Sequence, residues 1–401
     1  MGVRYYPKGF IFDVAGSSLF PKENEHNYVL ALMASKIAGL NFQVGNIGNI
    51  PYIFSEDYKP EIDKLVEENI ALSKTDWDSF ETSWDFGIHP LLDESKVGDC
   101  SSIAYAYEAW KEYANGNFSK LKENEERLNE IFIDIYGLND ELDKYILDKD
   151  ITIAKIFDEK SDIYEDIKEN QYILTRENVV KSFISYALGN MFGRYSLDEK
   201  GLVFAGGEFN KNRYKKYKPV EDNVLIISED EYLEDDIVNR FIDFVRICFG
   251  EETLESNLSF IASELKGKNM TAREKIRNYF VKDFYKDHVK TYKKTPIYWM
   301  YDSGKQNGFK ALIYLHRYEE DTTGIVRTDH LHRLQRAYEA HIEASSMDLD
   351  GHTGEEKKKI AKIKKQLNET RKYDEKLGVK VNYEKLQIDS KKEKHTILAK
   401  I

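Results

Sequence analysis

A chain of 401 residues, 41% hydrophobic and with 27 Tyr and 21 Phe, is long enough to bury a core and too aromatic to be disordered. No apolar run approaches the roughly 20 residues of a membrane span, and Met1–Tyr6 lacks the apolar core of a signal peptide; a cytoplasmic protein is expected, with Cys100 and Cys248 as reduced, buried thiols. The net charge of −12 speaks against a nucleic-acid binder until its distribution is read: residues 266–310 carry +8 and residues 355–401 carry +7, leaving −27 on the rest.

The chain opens with two short β patterns, Gly9–Asp13 and Ser17–Phe20. A helix over His26–Ala38, with Val29, Leu32, Met33 and Ile37 on one face, is ended by Gly39. Glu61–Ser73 is a polar helix. The acids of Asp76-Trp77-Asp78-Ser79-Phe80-Glu81 read as the first turn of a further helix, where the dipole favours them. From Asp99 the helical stripes are long: Ile103, Tyr107, Trp110, Ala114; then Leu121, Leu128, Ile131, Ile135; then, behind Thr175 as cap, Val180, Phe183, Ile184, Ala187, Leu188, Met191; then Ile237, Phe241, Phe244, Cys248. Gly201–Ala205 and Val224–Ile227 are β patches expected to pair around a loop with five cations, Lys211, Arg213, Lys215, Lys216 and Lys218. Pro296–Tyr301 and Phe309–Tyr314 flank Asp302–Gly308, and Asn307-Gly308 signals a hairpin. The end reads as a helical hairpin, Arg327–Ser346 and Glu355–Lys372 around a loop at Asp348–Gly354. The fold class is therefore mainly α with small β patches.

Chemistry is conspicuous by what is missing. No strand is followed by a glycine-rich turn suited to a methyl donor, no Pro-Pro exists for a base-holding tetrad, and no phosphate-cradle pattern is present. Gly304-Lys305-Gln306-Asn307-Gly308 matches a cradle in glycine content alone. A calcium loop aligned on Gly351 would begin at Ser346 and place Lys357 where a bidentate Glu is required. His330 and His332, two apart on a helix, point to different sides, so no metal site is expected there.

Five segments together resemble one family: Lys8–Asp13, Asn41–Ile47, Asp76–Phe86, Tyr186–Asp198, and a long stretch running from Lys282–His288 through Pro296–Trp299, Asp302–Lys305 and Gly308–Leu312 to His316–Tyr318. They are similar to PglX, the adenine-specific DNA methyltransferases of the BREX phage-defence systems, over roughly residues 4–345. The resemblance implies a large enzyme with an N-terminal S-adenosylmethionine-dependent domain, a target-recognition region and a helical C-terminal portion. This chain matches the end of the target-recognition region and the helical domains after it. The implied division is 1–55 as the remainder of target recognition, 56–175 as a helical spacer, 176–347 as a helical domain with short hairpins, and 348–401 as a basic tail. The donor and catalytic motifs are absent here, so no catalytic residue, cofactor or metal is assigned to the chain. The partners expected are double-stranded DNA, the catalytic domain and other defence proteins.

DNA contact is expected from Lys305 and Lys310 at the hairpin tip, with Lys286, Lys290, Lys293 and Lys294 extending the same surface, and from Arg213, Lys215 and Lys216 of the basic loop. Tyr292, Tyr298 and Trp299 read either as stacking residues or as core. The competing reading is a scaffold that docks the methyltransferase to other defence components through acidic helices around 55–170; an enzyme in its own right, such as a nuclease, lacks a clustered acidic motif.

Overall fold

A computed structural model describes residues 3–6, 9–11, 18–22, 24–39, 44–98, 100–346 and 353–383. Helix takes 56% of the residues and strand 5%, so the fold is mainly α with small β patches. The chain forms two units, one from residues 1–83 and 108–176, the other from 84–107 and 177–401.

The first unit is built on α1 (His26–Ala34), α2 (Lys59–Trp77) and α3 (Ile103–Ile135), the last of which enters it at Glu108. Tyr28, Ala31 and Leu32 of α1, Ile62 and Val66 of α2, and Leu128, Ile131 and Phe132 of α3 form one core. A second cluster gathers Phe118 and Leu121 with Ile151, Ile153 and Ile167. Beside it β1 (Lys155–Phe157) and β2 (Ile173–Thr175) pair in parallel. The described residues of the two opening β patterns, 9–11 and 18–20, form no strand. The acids at 76–81 also stand elsewhere than expected, at the end of α2. There Asp76 Oδ1 accepts from Ala154 N at 3.0 Å and Asp78 pairs with Lys74 at 2.6 Å, so these carboxylates anchor a helix terminus by direct bonds.

The second unit surrounds α4 (Arg176–Phe192), whose Val179, Val180, Phe183, Ile184, Tyr186, Ala187, Leu188 and Met191 are all buried. A helix apolar on nearly all sides belongs inside a core. A three-stranded antiparallel sheet follows the order β3 (Leu225–Ile227), β5 (Lys310–Tyr314), β4 (Tyr298–Asp302). The predicted hairpin is present, with Tyr298 opposite Tyr314 and Asp302 opposite Lys310. β3, however, pairs with β5 rather than with residues 201–205, which form no strand. The apolar run around 225–227, buried on every residue, is satisfied by a central strand that no local pattern reveals.

Helices α5 (Ile237–Phe249), α6 (Leu254–Ser263), α7 (Ala272–Lys282) and α8 (Phe284–Thr291) pack on one another, α5 and α7 also against β3, and Phe241 and Phe244 of α5 meet Phe183 of α4. A π-helical turn, Val326–Leu331, leads into α9 (His332–Ser346), and α10 (Gly354–Tyr383) lies along it. Ile363, Leu367, Tyr373 and Leu377 of α10 join Leu334 and Tyr338 of α9 in a core that includes Tyr301 and Phe309 of the hairpin. The loop joining α9 to α10, whose residues fail the calcium-loop pattern, lies mostly outside the described residues. His330 and His332 meet different carboxylates, Asp222 at 2.6 Å and Asp374 at 2.8 Å, as their spacing predicts. Among the described residues no group of His, Cys, Asp and Glu could hold a metal ion. Cys100 and Cys248 are both free thiols, and burial pushes the Cys248 thiol up.

The second unit is tied together by one buried ion pair. Asp236 is fully buried, caps α5 by accepting from Val238 N and Asn239 N at 3.0 Å each, and meets Arg277 of α7. Arg277 also donates to the carbonyl of Ser228, just past β3, at 3.2 Å. Replacing Arg277 by Met would strand the Asp236 carboxylate and should cost about 3–5 kcal/mol. Adding Asp236→Asn keeps a capping side chain, removes the stranded charge, and should recover part of that loss. Urea unfolding of the single and double variants checks both; an unchanged midpoint in Arg277→Met would contradict the assignment.

Two histidines make this unit acid-sensitive. Burial, aided by nearby cations, holds His89 and His288 down at about 3. Both values lie below the unfolded value of about 6.5, so protons bind the unfolded chain first. Stability is therefore whole above about pH 6.5 and is lost as pH falls from there toward 3. Between pH 7.5 and 4.5 each histidine should cost about 3 kcal/mol. His288 Nε2 accepts from Ile297 N and Tyr298 N at 3.1 and 3.2 Å. His288→Gln, which keeps an acceptor and does not titrate, should show a visibly shallower dependence in urea midpoints taken at the two pH values.

Candidate nucleic-acid interface

α4 ends where Gly193 turns to φ +78°, and its last carbonyls are taken up by three other segments. Val220 N donates to Met191 O at 2.8 Å, Arg317 Nη1 to Phe192 O at 3.1 Å, and the Tyr214 hydroxyl to Gly193 O at 2.5 Å. Glycine is required twice. A Cβ on Gly193 would stand 2.8 Å from the Phe209 ring, and one on Gly189 would overlap the Tyr195 ring. Two arginines gather at this negative helix end. Arg317 donates to three backbone carbonyls and lies 3.9 Å over Phe209. Arg194 donates to the hydroxyls of Tyr195 at 3.0 Å and Tyr314 at 3.3 Å. Burial opposes its charge, and the phenol oxygens of Tyr195, Tyr298, Tyr292 and Tyr314 outweigh that and hold it protonated. The fourth and fifth resemblance segments thus meet in space, through Arg194 and Tyr195 on one side and Tyr298, Tyr314 and Arg317 on the other.

The basic loop is built on this end. Tyr214 and Tyr217 are buried anchors, with the Tyr217 hydroxyl donating to Arg240 O at 2.9 Å. Asp198 Oδ2 accepts from Lys215 N at 2.7 Å and Lys216 N at 3.0 Å. Burial would raise the Asp198 pKa, but these amides and the Lys216 charge bring it below the usual range. Arg213 is pinned bidentately to Glu199 and donates to Val203 O at 2.7 Å, so it is a brace and not a free cation. Lys215, Lys216 and Lys218 are exposed and carry no ion pair among the described residues, while Lys211 pairs with Glu221 at 3.2 Å.

The hairpin cations sort into two groups. Lys310 is buried at 8% exposure, with its ammonium donating to Val281 O at 2.9 Å and standing 3.5 Å from Asp302. It cannot reach a phosphate, because as the first residue of the central strand β5 it points into the packed layer. Lys305 is exposed, but the tip that carries it does not protrude. Glu369 of α10 is inserted in the turn and accepts from Gln306 N at 2.8 Å, Gly308 N at 3.0 Å and Ser303 Oγ at 2.8 Å. The glycine loop does cradle an anion, and that anion is the protein's own carboxylate. Lys286, Lys290, Lys293 and Lys294 are exposed, with Lys286 3.8 Å from Asp283. They do not continue the Lys305 surface. Lys293 and Lys294 precede β4 and Lys305 follows it, and a five-residue strand spans about 17 Å.

Lys293 and Lys294 belong instead to the end of the sheet where the basic loop sits. Leu225 opposes Leu312, and Asn223 exchanges hydrogen bonds with Tyr314 at 3.0 and 3.1 Å, so β3 starts where β5 ends and where β4 begins. Both lysines adopt left-handed backbone, φ +49° and +68°, closing α8 with bonds to Lys290 O and Val289 O. Such geometry is uncommon away from glycine and places two cations at a helix C-terminus, where they are favoured. Tyr298 is core; Trp299 is partly buried, its indole N–H donating to Pro296 O at 3.3 Å.

Behind the loop lies a cleft of about 1000 Å³. Lys211, Lys215, Lys218 and Arg240 line it with Val220, Val224 and Ile226, and Asp222 and His330 complete the wall. Burial would raise Asp222, but the hydrogen bond and charge of His330 bring it below the usual carboxylate value. Composition alone hid this cleft, since its lining comes from segments more than a hundred residues apart.

The chain is 37% identical over 423 residues to the adenine-specific methyltransferase PglX of Lacticaseibacillus casei (strain Zhang), an alignment covering 97% of this chain and 33% of that protein. It is 34% identical over 429 residues to the adenine-specific methyltransferase BrxX of Escherichia coli O9:H4 (strain HS), covering 96% and 34% respectively. No protein-family model matches the chain. The chain spans about a third of the length of these curated relatives and corresponds to their C-terminal part.

Proposed function

We propose that this homologue of adenine-specific methyltransferases is the DNA-engaging C-terminal part of a site-specific adenine-N6 DNA methyltransferase in a BREX phage-defence system. In this reading an S-adenosylmethionine-dependent catalytic domain elsewhere in the protein transfers the methyl group, and this chain takes no part in that step. It binds the duplex and holds it in register for the catalytic domain. The observation that carries the reading is the set of exposed lysines, without an ion pair among the described residues, at one end of the sheet: Lys215, Lys216 and Lys218 from the loop and Lys293 and Lys294 from the end of α8. In a chain of net charge −12 such a cluster has a use, because lysine contacts to phosphate supply affinity and orientation without reading bases. Sequence discrimination is left to base contacts, for which the described surface offers no assigned residue. No helix of the described residues is long and apolar enough to cross a membrane.

Duplex binding by the full chain should be measurable in gel shifts at low salt. Changing Lys215, Lys216 and Lys218 together to Ala should weaken it similarly on unrelated sequences. The slope of log affinity against log salt should shrink by about 0.9 for each phosphate no longer neutralised. Lys305→Ala, on the docked tip, should leave that slope almost unchanged. Absence of binding even at low salt would overturn the reading in favour of a scaffold that docks the catalytic domain or other defence proteins.

A further inference from the structure

The cleft behind the basic loop is unbalanced in charge. Its three carboxylates are each taken: Glu221 by Lys211 at 3.2 Å, Asp222 by His330 at 2.6 Å, and Asp235 by Arg333 at 2.6 Å. Its remaining cations, Lys215, Lys218 and Arg240, have no carboxylate partner among the described residues. Arg240 lies 4.7 Å over the Tyr217 ring and donates through Nη2 to Lys218 O, while its Nε is buried without a hydrogen-bond partner. A guanidinium held only by a ring and a carbonyl keeps capacity for an anion.

The rest of the lining is different. Val224 and Ile226, two apart on an extended segment, share one face, and Pro219 and Val220 continue it as an apolar surface. His330 is 7% exposed and closes the wall. Its Nε2 meets Asp222, and its Nδ1 is buried without a partner. The residue sits in the six-residue π-helical turn Val326–Leu331, a geometry that costs regular hydrogen bonding and recurs at functional sites. The volume, about 1000 Å³, is at the upper end for a small-molecule site.

We propose that this cleft is a nucleotide site. It takes a nucleoside phosphate, the phosphate against Lys215, Lys218 and Arg240 and the base along the Val220–Val224–Ile226 wall toward His330. The nucleotide is either free or the unpaired nucleotide of a strand; the chemistry recognised is the same. The cleft shares Lys215 and Lys218 with the duplex surface, but the inference stands on Arg240, Val220, Val224, Ile226 and His330, which the duplex reading does not use, while Lys216, Lys293 and Lys294 lie outside the cleft.

The test is calorimetry of the full chain with AMP, with inorganic phosphate and with a short single-stranded oligonucleotide. AMP or the oligonucleotide should bind, and more tightly than phosphate. Val220→Trp fills the cleft while keeping the backbone bonds of residue 220, and should weaken that binding at least about tenfold; Arg240→Gln should do the same by removing charge. Binding of AMP assigns the site to free nucleotide, and binding of the oligonucleotide alone assigns it to a strand. Thermal melting shows that each variant is folded, and duplex gel shifts of Val220→Trp should match the parent chain. Silence with both nucleotide probes, phosphate binding as tightly as AMP, or nucleotide binding unchanged in both folded variants would overturn the proposal. So would loss of duplex binding in folded Val220→Trp, since cleft and duplex surface would then be one.

Discussion

The Arg277–Asp236 pair is the interaction on which the second unit depends. A fully buried carboxylate costs several kcal/mol in desolvation and is tolerated only when its lone pairs are filled. Here two backbone amides of α5 and the guanidinium of α7 fill them. The same guanidinium reaches the carbonyl at the end of β3. One charge pair therefore sets where α5 begins, how α7 lies against it and where β3 stops. Arg240 of α5 and Ile226 of β3 both line the cleft, so the geometry of that cleft is inherited from an ion pair that does not touch it.

Charge in this protein is sorted by local use rather than by segment. Lys310 and Arg277 belong to the strongly basic stretch 266–310 yet are consumed inside the fold. Glu369, from the basic tail, is the acid that fills the hairpin turn and fastens α10 to the sheet. On α10 Ile363, Leu367, Tyr373 and Leu377 face the core, and Lys364, Lys365, Arg371 and Lys372 face outward. Among the described residues, what remains free for a partner is a smaller set than the sums +8 and +7 suggest, divided between the end of the sheet away from the tip and the outward face of α10.

The homology to adenine-specific methyltransferases gains physical content at the end of α4. Two of the segments that carry the resemblance, Tyr186–Asp198 and the stretch ending at His316–Tyr318, meet where Gly189 and Gly193 admit aromatic rings, where Arg317 caps the helix and where Asp198 holds the basic loop. Much of that resemblance is therefore architecture: it builds the platform that presents Lys215, Lys216 and Lys218. The cations that a ligand would meet are residues whose side chains need only be long and charged.

Helical periodicity is a local property, and so the stripes of α3, α4 and α5 and the hairpin at Asn307-Gly308 were legible in the sequence, each matched by burial of most of the named residues or by strand pairing. So was the exposure of the basic loop, since five cations in eight residues cannot all be buried. Pairing across distance was not legible. A three-residue apolar strand does not announce its partner, and β3 chose β5 over the nearer residues 201–205. Nor does a lysine beside a turn reveal whether it points out, like Lys305, or in, like Lys310, because strand register decides that and register is set by the core. By itself the sequence determined the fold class, the family likeness and the inventory of charges. The tertiary structure decided which of those charges are spent on each other and which are left at one end of a sheet, because only folding brings Glu369 to the turn, Glu199 to Arg213 and His330 to the wall of the cleft.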